Sequence, residues 1–238
     1  MTTACTRGTD THVLDDPVTT SLHGAHARFR IGEGSVVRYD PQVTRFVGFP
    51  RRATATDWAA LARIAQADER LSLRGLATPV PPPWTELDRF GIVQFDGAPL
   101  EVAPDPDAVR LGGSDVPEIL DLVERTRPGP FTPRTIELGT YLGIRRGGRL
   151  VAMAGERLHP PGWTEISAVC THPDFRGQGL ATRLIRAVGQ GIRARGELPF
   201  LHTAADNAPA IALYERLGFV LRSRLELTFV GPPAGGAA

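Results

Sequence analysis

Apolar positions along this chain switch between two spacings. At Val116, Ile119, Leu120 and Val123 they recur every three or four residues, which is one face of a helix. The same spacing returns at Leu180, Leu184, Val188 and Ile192, with Arg183, Arg186 and Arg193 off the stripe. The spacing predicts helices after Asp115 and over 180–195. Asp115 reads as the first helix's cap, with Glu118 three residues on as its capping-box partner. Segments 140–145, 150–157, 163–171, 198–204 and 219–230 read as strands, and 207–217 as a helix closed by Gly218. Gly147-Gly148 suits a tight hairpin turn, since both glycines accept positive φ. Hairpins pair antiparallel and helical crossovers pair parallel, so the order helix, hairpin, strand, helix, strand, helix, strand demands a mixed sheet. Gly189 and Gly191 each cost about 1 kcal/mol relative to Ala inside a helix, so the long helix is expected to fray near Val188.

The first half is less regular. Thr56-Asp57 reads as the cap of a helix with Trp58, Leu61, Ile64 and Ala65 on one face. Strand-like pieces surround it at 35–39, 71–76 and 90–95. Pro79 to Pro83 forms a stiff connector, and Ala103-Pro104-Asp105-Pro106-Asp107 a second break. The expected organisation is an N-terminal α/β domain over 10–103 and a second domain over 107–230. Residues 1–9 and 231–238 read as disordered tails.

Composition then narrows the classes. All 27 basic residues are Arg, against 26 acidic ones, for a net charge of +1. That balance creates no field favouring nucleic acid, and no basic arm carries interleaved aromatics. The missing Lys reads first as the codon usage of a GC-rich genome and only second as avoidance of self-acylation. The two cysteines, Cys5 and Cys170, form neither a disulfide framework nor a metal-ligand spacing. The start lacks a charged-then-apolar leader, and no apolar run reaches membrane length. The expectation is a soluble cytoplasmic protein, monomer or homodimer, with no metal, membrane or nucleic-acid partner.

The segment from Val169 to Ala181 carries the chemistry. A strand ends, a short loop turns and a helix begins. Gly177 and Gly179 let the backbone approach a ligand, and the helix start presents unpaired N–H groups with a partial positive charge. Such an end suits a pyrophosphate, and Arg176 adds a full charge beside it. A Gly-x-Gly turn alone is weak. The segment lacks the Lys-Ser/Thr of a Walker loop and the third glycine of a dinucleotide fingerprint.

Arg176-Gly177-Gln178-Gly179-Leu180-Ala181 resembles the Gln/Arg-Gly-x-Gly-x-Ala signature of the GNAT superfamily of N-acetyltransferases. The later run from Asn207 to Phe219, with Ala210, Leu213-Tyr214-Glu215 and Gly218, resembles the family's second hallmark. The resemblance covers about residues 107–230. Thr164 to Thr171 together with Phe200-Leu201-His202 looks closest to the subgroup related to glycine N-acyltransferases, whose members often carry an extra N-terminal domain. Residues 10–103 would then be a degenerate GNAT-like half without a phosphate loop.

The resemblance implies a mixed, mostly antiparallel central sheet with a splayed pair of parallel strands, flanked by helices. It implies an acyl group moved from acetyl-CoA, or another short acyl-CoA, to a primary amine by direct attack. The acceptor would be a small molecule or a peptide. The cofactor residues carried over are Val169, Cys170, Thr171, Arg176, Gly177, Gln178, Gly179, Leu180, Ala181, Thr182 and Asn207, with the Val169 N–H as the oxyanion contact. Tyr214 is the implied general acid. Glu165 is the candidate base, placed by period two on one face with Ser167, Val169 and Thr171; His202 and His172 rank below it. Cys170 and His172 share a face, and a buried structural cysteine is the commoner outcome than a covalent nucleophile. The alternative reading is an inactive acyl-CoA sensor that keeps the cofactor site.

Overall fold

The computed structural model describes residues 12–233. Residues 1–9, with Cys5, and most of 231–238, expected above to be disordered tails, lie outside them. The chain begins with α1 (Pro17–Leu22), capped by the Asp16 side chain accepting from the Thr19 N–H. Then come β1 (Arg30–Glu33), β2 (Val36–Tyr39) and β3 (Val47–Gly48), which form a small antiparallel sheet. Next is α2 (Ala55–Ile64), whose cap is Thr54 with Asp57 in a reciprocal capping box, two residues before the expected Thr56.

A second, eight-stranded sheet follows. Its strands are β4 (Leu71–Arg74), β5 (Thr85–Asp96), β6 (Ala108–Leu111), β7 (Tyr141–Arg146), β8 (Arg149–Glu156), β9 (Trp163–Thr171), β10 (Leu198–Ala204) and β11 (Val220–Gly231). Its helices are α3 (Val116–Thr126), α4 (Leu180–Ala194) and α5 (Ala208–Arg216). Strand order is β4-β11-β5-β10-β9-β8-β7-β6. Every neighbouring pair is antiparallel except β9 and β10, so the mixed, mostly antiparallel sheet with one parallel pair is as expected. The sheet runs across the Pro-rich break at 103–107. β5, from the first half, lies between β10 and β11 and is hydrogen-bonded to both.

Three local details differ from expectation. Asp115 makes no side-chain cap on α3; its carboxylate accepts from the Gly112 N–H and holds Arg145. Glu118 likewise turns to Arg145 and the Leu150 N–H, tying α3 to the β7–β8 hairpin. α4 continues through Gly189 and Gly191 to Ala194. A Cβ on Gly189 would stand 2.7 Å from Leu100 Cδ2, so that glycine admits the segment crossing the helix. The hairpin turn is as expected, with φ of 57° at Gly147 and 83° at Gly148.

Apolar cores form on both faces of the sheet. Ile144, Ile166, Leu184, Val188, Leu201 and Tyr214 pack on the α4–α5 side. Leu111, Ile119, Leu122, Tyr141, Met153 and Cys170 pack with α3 on the other. Among the described residues no helix is long and apolar enough to cross a membrane.

Candidate active site

The turn that joins β9 to α4 has the geometry of an anion cradle. Gly177 and Gly179 have φ of 75° and 72°, in the left-handed region that L side chains avoid. A Cβ at either would meet nothing within 4 Å, so both face open space. Gly179 is the N-cap of α4 and supplies no side-chain cap, which leaves the first-turn N–H groups of Leu180, Ala181 and Thr182 without an intrahelical partner. Arg176 and Gln178 are exposed beside them. An anion with several oxygens fits this end on charge and donor count.

β9 and β10 part company next to that turn. Their pairing consists of Leu198 with Trp163, Pro199 with Thr164 and Phe200 with Glu165, and there it stops. β9 continues to Thr171 and β10 to Ala204 without pairing to each other, so the strands open into a V. Inside the V, β9 carries a bulge. Met153 pairs with Cys170 and Gly155 with Ser167, so Ala154 of β8 faces both Ala168 and Val169. Ala168 takes φ of 53°, rare for a residue with a Cβ.

The bulge overturns the expected common face of Glu165, Ser167, Val169 and Thr171. One extra residue shifts the alternation. Val169 packs with Ile166 on the α4–α5 side, while Ala168 and Cys170 pack towards α3. The Cys170 thiol is buried in that apolar layer and burial pushes its pKa up to about 11, which removes the thiolate a nucleophile requires. His172 caps the short turn after β9, and Arg149 donates to its Nε2 at 2.7 Å.

Tyr214 lies on α5 on the α4–α5 side of the sheet, 8% exposed, edge-on to Phe95 and Phe219 at 6.1 and 5.8 Å. Burial raises its pKa to about 12, so the hydroxyl carries its proton at neutral pH. Asn207 caps α5, its side chain accepting from the Ala210 N–H at 3.3 Å.

Glu165 sits at the closed end of the V on the opposite face, fully buried. Arg157 holds it bidentately, Nε to Oε2 and Nη2 to Oε1, both at 2.7 Å. His202 Nδ1 donates to Oε1 at 2.5 Å. Burial alone would raise the Glu165 pKa. The charge and hydrogen bonds of Arg157, with His202, outweigh it and hold the carboxyl far below its usual range. Neither oxygen is open to a substrate, which does not fit the base expected at this position. The His202 side chain is mostly buried; burial, then the charge of Arg74, lowers its pKa to about 4 and keeps it neutral. Gln94 donates to His202 Nε2 and to the Leu14 carbonyl, both at 2.9 Å. Arg222 donates to Gln94 at 2.7 Å and to Asp15 at 2.6 Å. A polar chain thus runs from Arg157 across β9, β10 and β5 to the N-terminal segment.

Sequence reasoning missed Arg157, Tyr141 and Gln94 on this face. Arg157 was legible as the residue at the end of a strand that must return antiparallel to β9, but its pairing with Glu165 needed the length of the loop between them. Gln94 depended on a strand from the other half. Among the described residues no group of three or more His, Cys, Asp or Glu could hold a metal.

The model of the family described as FR47-like protein matches residues 141–228. A crystal structure from Novosphingobium aromaticivorans, assigned as a GNAT-family acetyltransferase, is 40% identical with a TM-score of 0.84, covering 93% of this chain and 99% of that one. The N-alpha-acetyltransferase RimI of Mycobacterium tuberculosis is 39% identical over 82 residues, covering 33% of this chain and 51% of that protein. A mycothiol acetyltransferase of Pseudarthrobacter chlorophenolicus is 34% identical over 108 residues, covering 42% of this chain and 31% of that protein. The chain therefore spans about half or less of these two curated relatives.

Proposed function

The chain belongs to the GNAT family of acetyltransferases, and on that premise we propose that it transfers an acetyl group from acetyl-coenzyme A to a primary amine within a ternary complex. The observation that carries this reading is the conjunction of the uncapped α4 start with the V between β9 and β10. The first-turn N–H groups of α4, Arg176 and the two open glycines take the pyrophosphate. The unpaired edge of β9 beyond Glu165, at Val169 to Thr171, offers backbone groups to the pantetheine arm, and the Val169 N–H stabilises the tetrahedral oxyanion. The amine nitrogen adds to the acetyl carbon to give that oxyanion, and its collapse breaks the C–S bond. The amine's surplus proton leaves to water, and Tyr214 protonates the departing thiolate. Glu165 acts through its neighbours: it fixes Arg157 and His202 rather than taking a proton itself. A place near the glycine N-acyltransferases remains part of this proposal, supported by Thr164 to Thr171 and Phe200 to His202.

Calorimetric titration of the chain with acetyl-CoA, followed by CoA release across an amine panel, tests the reading. Saturable binding with amine-dependent release is the expected result. Binding without release to any amine would turn the reading to a sensor, and no binding would end both.

A further inference from the structure

The turn between β9 and α4 is tethered at its two ends and free between them. Among the described residues the N–H groups of Gly177, Gln178 and Gly179 make no backbone hydrogen bond, while the Gly179 carbonyl accepts from the Arg183 N–H at the α4 end. Gly177 and Gly179 lose much conformational freedom when such a stretch is fixed at positive φ. A turn that its ligand must first order binds that ligand less tightly than one already set. The other end is His172. Its N–H continues the β9 ladder to the Val151 carbonyl at 2.8 Å, and its carbonyl accepts from the Phe175 N–H at 2.9 Å. His172 is 7% exposed, with its ring edge-on to Phe175 at 6.0 Å.

The ring also ties this end to β8. A neutral imidazole offers one acceptor lone pair. Two donors reach for it: Arg149 Nη2, 2.7 Å from Nε2, and the Asp174 N–H, 3.3 Å from Nδ1. The guanidinium is always charged and is the closer, so Nε2 has the stronger claim on the lone pair and the cap contact at Nδ1 is the weaker. Arg149 is exposed, and among the described residues His172 is its one side-chain partner. Other arginines of this half clasp carboxylates, as Arg125, Arg134, Arg145 and Arg183 do. Arg149 instead spends its hydrogen bond on the residue where the turn begins.

We propose that Arg149 and His172 are positioning residues for the cofactor: their hydrogen bond braces the start of the 172–179 turn, so that the pyrophosphate meets N–H groups already in place. The proposal rests on the acetyltransferase reading and adds to it two residues that act through the turn.

The test measures the affinity of the full chain for CoA by calorimetry. His172→Leu removes the acceptor, His172→Gln can place an oxygen near the Nε2 position, and His172→Asn can place one near the Nδ1 position. The expected result is a CoA Kd raised about tenfold in His172→Leu and His172→Asn, as for the loss of one charge-assisted hydrogen bond, and close to wild type in His172→Gln. Recovery by Gln is a readout that packing alone would not give. Arg149→Ala, at an exposed position, is expected to raise the Kd about tenfold by itself and to add nothing in the His172→Leu background. Recovery by Asn rather than Gln assigns the effect to the cap on Asp174 and overturns the brace. An unchanged Kd in Arg149→Ala overturns it even where the His172 variants fail to fold, and so do losses from Arg149→Ala and His172→Leu that simply add. The wild-type titration separates the two failures. CoA binding that the variants leave untouched removes only this proposal, whereas no CoA binding by the wild-type chain removes the acetyltransferase reading and this one with it.

Discussion

The two faces of β9 are built on different principles. On the α4–α5 side the side chains are apolar, Ile166 and Val169 among them, and the polar groups on offer belong to the backbone of the loop and the helix start. On the other side the side chains themselves are polar and fixed, with Glu165, Arg157, His202 and Gln94 joined in one chain. Backbone recognition tolerates almost any sequence that keeps the turn, so that face suits a cofactor shared across a family. A side-chain network depends on every member, so that face tolerates far fewer substitutions.

Removing one ion breaks this contrast most severely. Glu165→Ala leaves the Arg157 guanidinium without its partner, and a loss of about 3–5 kcal/mol of stability is expected in urea unfolding. A loss below about 1 kcal/mol would mean the network is not what holds this face. Acid sharpens the same point. His26, which bonds Tyr39 and the Leu138 carbonyl, is lowered to about 4 by burial and then by the charge of His159; His202 is lowered to about 4 by burial and then by Arg74. The unfolded chain takes up protons below a pKa near 6.5 while the folded chain refuses them until about 4. Their contribution is therefore complete above pH 6.5 and is lost as pH falls towards 4, on the order of 3 kcal/mol for each histidine. A urea midpoint that is flat from pH 7 to pH 4.5 would contradict it. The apolar face answers in rate instead. Tyr214→Phe is expected to lower kcat about 10²-fold with little change in acetyl-CoA affinity, and an unaltered kcat would remove Tyr214 from the mechanism.

The same contrast decides what could be read in advance. The loop from Arg176 to Gly179 and the N-cap at Asn207 are local: a strand end, two glycines and a helix start specify them within a few residues. The strands after Thr140 were legible for the same reason, by period and turn chemistry. The polar face is not local. Its Glu165 faces Arg157 only through the β8–β9 register, and Tyr141 reaches Ser167 only because Gly155 stands between them. The bulge at Ala168 has no sequence mark; a residue with a Cβ takes positive φ there, and a strict alternation placed Val169 on the wrong side. The first half was obscure because its longest strand completes a sheet begun elsewhere.

That strand has a consequence for how the molecule is made. β10 and β11 meet only through β5, which leaves the ribosome more than a hundred residues before either of them. It must wait, its edges unsatisfied, until the last strand emerges, and contacts of such long sequence separation form slowly. A fragment cut at the Pro-rich break would leave β10 with one bare edge and β11 with two, and bare edges pair with other chains. The matched segment 141–228 holds β10 and most of β11 but not β5, the strand that joins them.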